Sequence, residues 1–186
     1  MIGLVVIVVI AVVLGLLLVG TYNRLVGLRQ RANQAFADID VQLQQRHDLI
    51  PNLVETVKGY AAHESGTLEA VTNARAAAAG ATSVDQKVQA ENMLTGALRQ
   101  LFAVAEAYPD LKANANFMRL QDELADIENK LAAARRFFNS AVSEFNAAIQ
   151  QFPAVVLAGP MGFTERAFFD VGADRAAVAA APQVKF

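Results

Sequence analysis

The chain has two histidines, His47 and His63, and neither sits where catalysis or metal binding would need it. They lie far apart with Pro51 between them, so they are not a ligand pair at helical spacing. His63-Glu64 opens like a zinc-protease helix, but the position of the required second histidine holds Thr67. A di-metal carboxylate bundle wants Glu-x-x-His, and no glutamate here has a histidine three residues on. Without cysteine there is no thiolate nucleophile, disulfide or cysteine-ligated metal. The serines have no local histidine partner, and no glycine-rich phosphate loop follows a strand. These residues predict no cofactor and no enzymatic reaction.

The polar residues that stand out lie instead on or near apolar seams. They are Asn23, Asp40, Arg46, Asp48, Asn52, Glu91, Asn92, Asn116, Glu128, Arg135 and Asn139. One reading is a buried network that sets helix register, as a single asparagine does in a coiled coil. In it, Arg46 and Asp48 pair with Glu128 and Arg135 through charge-assisted hydrogen bonds. The other reading is a partner or ligand site. Charges elsewhere are scattered, as on a solvated face.

The elements that position these residues are long helices. Apolar residues recur three and four apart at Leu25, Leu28, Ala32, Phe36, Ile39, Leu43, Ile50, Leu53 or Val54, Val57 and Tyr60, with Arg46 filling one seam position. Pro51 lacks a backbone donor and predicts a kink near Asp48, or a break with Asp48 capping a new helix. Gly66 is a softer interruption, and Gly80 a stop signal. Ser83 with Gln86 reads as a capping box opening a second helix, which Tyr108-Pro109-Asp110 ends. A third helix starts near Ala113 and reaches about Gln151, with its stripe running from Phe117 to Phe152. Such helices pack best as an antiparallel bundle.

No charged side chain precedes Arg24, and Ile2–Gly20 is apolar throughout. As a helix that run measures about 29 Å, close to the roughly 30 Å hydrocarbon core of a bilayer. No lysine or arginine precedes it and no Ala-x-Ala site ends it, so a retained anchor is expected over a cleaved signal or a soluble core helix. Arg24, Arg29 and Arg31 follow the span before the first acidic residue, Asp38. The positive-inside rule then puts the amino terminus outside and the rest in the cytoplasm, with Tyr22 at the interface.

Formal net charge is −2 with both signs interspersed, which argues against a nucleic-acid surface. Beyond Phe152 the composition changes to Phe, Val, Gly and Pro, and Phe152–Leu157 and Phe163–Val171 look extended. This tail is read either as a strap over the bundle or as a segment docking on a neighbouring subunit or the membrane surface. Phe152, Phe163, Phe168 and Phe169 are then its candidate interface. Ala173–Phe186 reads as a loose end.

The order of motifs resembles the bacterial LemA family. Tyr22-Asn23 follows the anchor, and Asp48-Leu49-Ile50-Pro51-Asn52-Leu53-Val54 follows Asp40–Arg46. Glu106-Ala107-Tyr108-Pro109, Glu128-Asn129 and Arg135-Arg136-Phe137-Phe138-Asn139 come after, in order along the chain. The resemblance implies a single-pass inner-membrane protein with a helical-bundle domain and no enzymatic activity. It also implies membrane proteases or other envelope proteins as candidate partners.

The expected protein is all-α. A transmembrane anchor (1–22) leads into an antiparallel bundle of three to four long helices (23–152), followed by an extended tail (153–186). Its expected partners are membrane lipid, further copies of itself and a membrane protein, but no nucleic acid. Self-association follows from the long apolar third helix, the Phe-rich tail and confinement in two dimensions.

Overall fold

The computed structural model describes residues 1–169. Among these, all regular structure is helical: α1 (Ile2–Lys58), α2 (Ser65–Gly80), α3 (Val84–Glu106), α4 (Pro109–Lys112), α5 (Ala115–Gln150) and α6 (Ala154–Leu157). The first part of α1 has mean hydropathy 3.5 over its most apolar stretch, and none of that stretch is buried. A core helix of a globular protein would be covered. A long, bare, apolar helix is what a membrane anchor requires.

From Leu25 onward α1 buries one stripe, through Leu28, Ala32, Ala35, Ile39, Leu43, Arg46, His47, Ile50, Leu53 and Val57. Two cross-links give its register against α5. Arg31 meets Glu144 at 2.8 Å, and Arg46 meets Glu128 at 3.5 Å. Rising numbers on α1 meet falling numbers on α5, so the two run antiparallel. The α2–α3 hairpin covers only the far half of this pair. It packs Leu68, Val71, Leu94, Leu98 and Leu101 with Ile50, Leu53 and Val57 of α1 and Phe117, Leu120 and Leu124 of α5. The Ser83–Gln86 capping box opens α3. Asn114 caps α5 by accepting from the amides of Asn116 and Phe117 at 2.9 and 3.0 Å.

The half nearer the apolar segment contains α1, α5 and the start of the tail. Phe152–Leu157 is not extended: Ala154–Leu157 forms one helical turn, whose Ala154 packs beside Ala158, Leu25 and Phe145. Gly162, at φ 74°, takes a left-handed conformation that glycine adopts without steric cost. The chain reverses there and runs back over α1 and α5. Its backbone is held by two asparagines of α5. Asn146 accepts from the Arg166 N–H at 2.9 Å and donates to the Arg166 carbonyl at 3.0 Å. Asn139 treats Phe169 the same way, at 2.8 and 3.1 Å. Each side-chain amide acts as one rung of a β ladder. The spacing matches because the helical rise from Asn139 to Asn146 is about 10.5 Å, and the extended reach from Arg166 to Phe169 is about 10 Å. Expectations for Asp170–Phe186, including the loose end from Ala173, lie outside the described residues.

The break in the first stretch is not at Pro51. The helix passes through Pro51 to Lys58, and the turn falls at 59–64. Proline removes the N–H that would have bonded the carbonyl four residues back, which is that of His47. Arg75 of α2 supplies the missing donor, its Nε reaching the His47 carbonyl at 2.7 Å. The carbonyl is satisfied from outside the helix, so the helix need not end.

This substitution of donors is testable. Arg75→Met strands a buried carbonyl and should cost about 1–3 kcal/mol of stability. Adding Pro51→Ala restores the backbone N–H and should recover part of that loss. Urea unfolding of the single and double variants measures the coupling; strictly additive effects would sink the idea.

Candidate functional site

One turn of α1 carries the densest polar cluster among the described residues. Arg46 and His47 occupy the seam where apolar residues precede and follow, and each is only 5% exposed. Both reach Glu91 of α3, which is 1% exposed. Arg46 Nη1 contacts Glu91 Oε2 at 3.1 Å, and His47 Nε2 lies 2.6 Å from Glu91 Oε1. That contact assigns a proton to Nε2, since the carboxylate oxygen can only accept. Arg46 Nη2 also donates to the Thr95 hydroxyl at 3.0 Å and lies 3.5 Å from Glu128 of α5. Glu128 continues to Arg135 Nη1 at 3.6 Å. Two guanidinium groups and two carboxylates balance in charge, and both oxygens of the buried Glu91 are engaged.

Arg46 faces Glu128 as expected, but Arg135 meets Glu128 of its own helix and not Asp48 of α1. Other expected members are corrected. Asp48 is exposed and accepts from Gln44 of its own helix at 2.8 Å. Asn52 is exposed, and so are Asn23, Asn92 and Asn116. The reason is angular: at about 100° per residue, Asp48 lies about 200° around the helix from Arg46, and Asn92 about 100° from Glu91. Asp40 belongs to a separate pair, with Lys87 at the start of α3, and the Lys87 ammonium also lies 4.9 Å over the Phe36 ring. Asn139 belongs to the strap. Phe163 and Phe169 are buried against the chain's own bundle and are not open interface, whereas Phe152 and Phe168 are exposed.

Sequence reasoning missed His47, Thr95, Arg75, Lys87, Asn146 and Arg166. Signals existed for some of them. His47 is the residue four before Pro51, Thr95 follows Glu91 by one helical turn, and Asn146 repeats Asn139 after one heptad.

Two further groups have shifted proton affinities. Burial and the Glu64 carboxylate, to which its hydroxyl donates at 3.3 Å, raise the Tyr108 phenol above its usual value. Burial and then the neighbouring Arg29 lower the Arg166 guanidinium. A pocket of about 240 Å³ lies beside the cluster, lined by Asp40, Gln44, His47 and Lys87 among others. A wider groove of about 510 Å³ is lined by Leu98, Phe102, Leu124 and Ala125, with Arg46, Arg99 and Glu128 at its polar side. Among the described residues, no group of three His, Asp or Glu side chains is placed to hold a metal. The cluster's polar atoms are turned on one another, an arrangement that joins helices.

A family model described as LemA family matches residues 35–186. The chain belongs to the LemA family. No curated protein matches it. The matched LemA region contains Pro51, the Arg46–His47–Glu91 cluster and both strap asparagines, and starts beyond the apolar segment. In this LemA-family chain, the family pattern therefore takes in most of the cross-linked domain, though the Arg31–Glu144 link begins before it.

Glu91→Ala leaves two buried partners without their carboxylate and should cost about 3–5 kcal/mol. Replacing the cluster together, as Arg46→Met, His47→Leu and Glu91→Met, should cost less than Glu91→Ala alone, because no buried charge is stranded. Denaturant midpoints of the two variants decide it; a triple variant at least as unstable as Glu91→Ala would refute the account.

Proposed function

We propose that this LemA-family chain is a non-enzymatic, membrane-anchored helical scaffold that self-associates at the bacterial inner membrane. The observation that carries the reading is the continuity of α1. The apolar segment and the long arm of the domain are one helix, without a linker between them. A scaffold needs that stiffness, because the far half of the domain then stands at a set distance from the lipid. The buried charged side chains support the non-enzymatic part, since they are committed to each other across helices. Confinement of copies in two dimensions raises their effective concentration and favours weak lateral contacts. Exposed apolar side chains such as Met93, Met118 and Phe137 are available to such contacts.

Arg24, Arg29 and Arg31 argue for an external amino terminus and a cytoplasmic domain. Reporter domains fused after Phe186 test this orientation. Activity is expected only from a reporter that works in the cytoplasm, and activity only from a periplasmic one would reverse it.

A second reading is an adapter that holds a membrane protease or a stress-response partner at the inner face. The open groove between α3 and α5 favours it, because its Leu98, Phe102 and Leu124 walls suit an amphipathic helix. Particle mass separates the two. Gentle extraction of the full-length chain with its lipid, followed by light scattering, should give one homogeneous homo-oligomer. A monomer or dimer with a stoichiometric second chain would favour the adapter.

A further inference from the structure

We infer that the corner between α5 and α6 is a second lipid-binding site, in which Phe152, Val155 and Val156 enter the membrane interface beside the span. The inference rests on the first part of α1 lying in lipid, and it goes beyond scaffolding to state how the domain meets the bilayer.

Position is the first argument. Thr21–Leu25 follow the span directly and lie within about 8 Å of Gly20 along the axis. The corner packs against these same residues. Phe152, Pro153 and Ala154 surround a small cavity together with Thr21, Arg24 and Leu25. The Tyr22 ring, expected at the interface, meets Phe163 at 5.7 Å between centroids. The corner is therefore held at the depth where amphipathic segments insert, about 5–10 Å into the boundary of headgroups and acyl chains.

Chemistry is the second argument. Ala154 and Ala158 turn inward to Leu25 and Phe145. Phe152, Val155 and Val156 turn outward and are 84%, 52% and 64% exposed. No charged side chain occurs between Glu144 and Glu165. The nearest charge in the cavity wall is the arginine Arg24, the sign that anionic headgroups attract. An exposed apolar patch, free of carboxylates and continuous with a lipid-facing helix, matches the interface of a bilayer. Two attachments, the span and the wedge, would set both tilt and rotation of the α1–α5 pair, which a single helix leaves free.

The chain has no tryptophan, so Phe152→Trp creates a single fluorescent reporter. Val156→Trp is the second reporter, and Met118→Trp, at the far end of the domain, is the reference. Full-length protein is reconstituted in vesicles of phosphatidylethanolamine and phosphatidylglycerol, with and without acyl-chain bromination. Flotation checks the anchor separately, and failure to float would overturn the spanning reading and the wedge with it. In floating vesicles, both corner reporters should shift to the blue and lose most of their emission to brominated lipid, while the reference keeps its own. Corner reporters quenched by aqueous acrylamide and not by bromine would overturn the inference with the anchor intact. Reporters shielded from both would also overturn it, and would assign the patch to a second copy of the chain.

Discussion

A missing hydrogen-bond donor at position 51 organises the far half of this protein. Pro51 frees the His47 carbonyl, and a buried carbonyl must find a partner. Arg75 provides it, which docks α2 on α1 at one height. At the same height, the His47 and Arg46 side chains draw in Glu91 and so dock α3. Arg46 also faces Glu128, which docks α5. One turn of α1 thus addresses each of the other long helices through a different group. Apolar stripes bring helices together but tolerate sliding by a turn. These polar links do not, because each is correct at only one register.

The energetic logic is specificity more than stability. A buried ion pair repays little beyond its desolvation, but losing one partner is expensive. Any slipped arrangement of this domain would strand Arg46 or Glu91 in an apolar layer. Among the described residues the near half has no such cluster, and uses the two asparagines of α5 to hold a backbone strap. The strap places Phe163 into a layer that α2 and α3 do not reach, and Phe169 into the next layer, beside Val84 and Val88 at the start of α3. It substitutes for a helical hairpin where the bundle thins to two helices.

Much of this was legible in the residues. The long apolar amino-terminal helix, the capping box, the end of the third stretch near Gln151 (Gln150 in the structure) and the helical stripes follow from hydropathy, spacing and caps, all of which are local. The Arg46–Glu128 contact was legible because both residues interrupt apolar faces. Of the kink or break expected near Asp48, the break does not occur, because Pro51 shows only that a donor is absent. Whether a helix ends there depends on a donor from another helix, Arg75, which no local pattern reveals. Asp48, Asn52 and Asn92 were placed with the cluster by closeness in sequence, though helical rotation turns them outward. The strap was legible as composition only. Its register comes from a coincidence of lengths, a heptad of helix against three residues of extended chain, which becomes visible once the two are laid side by side.

The same geometry constrains how the domain can act. The α1 helix is common to the apolar segment, the strapped pair and the four-helix end, so a displacement at one level must be carried by the others or absorbed by bending. The polar cluster resists sliding at the far end, and the strap resists separation of α1 from α5 at the near end. For a chain anchored as proposed, the remaining soft coordinate is the angle between this unit and the plane of the membrane. The α5–α6 corner packs beside the end of the apolar segment, at the base of the unit, and its outward residues are the ones with least reason to face water. A helix that carries its domain on an unbroken arm gains a defined orientation only if something beside it also grips the surface.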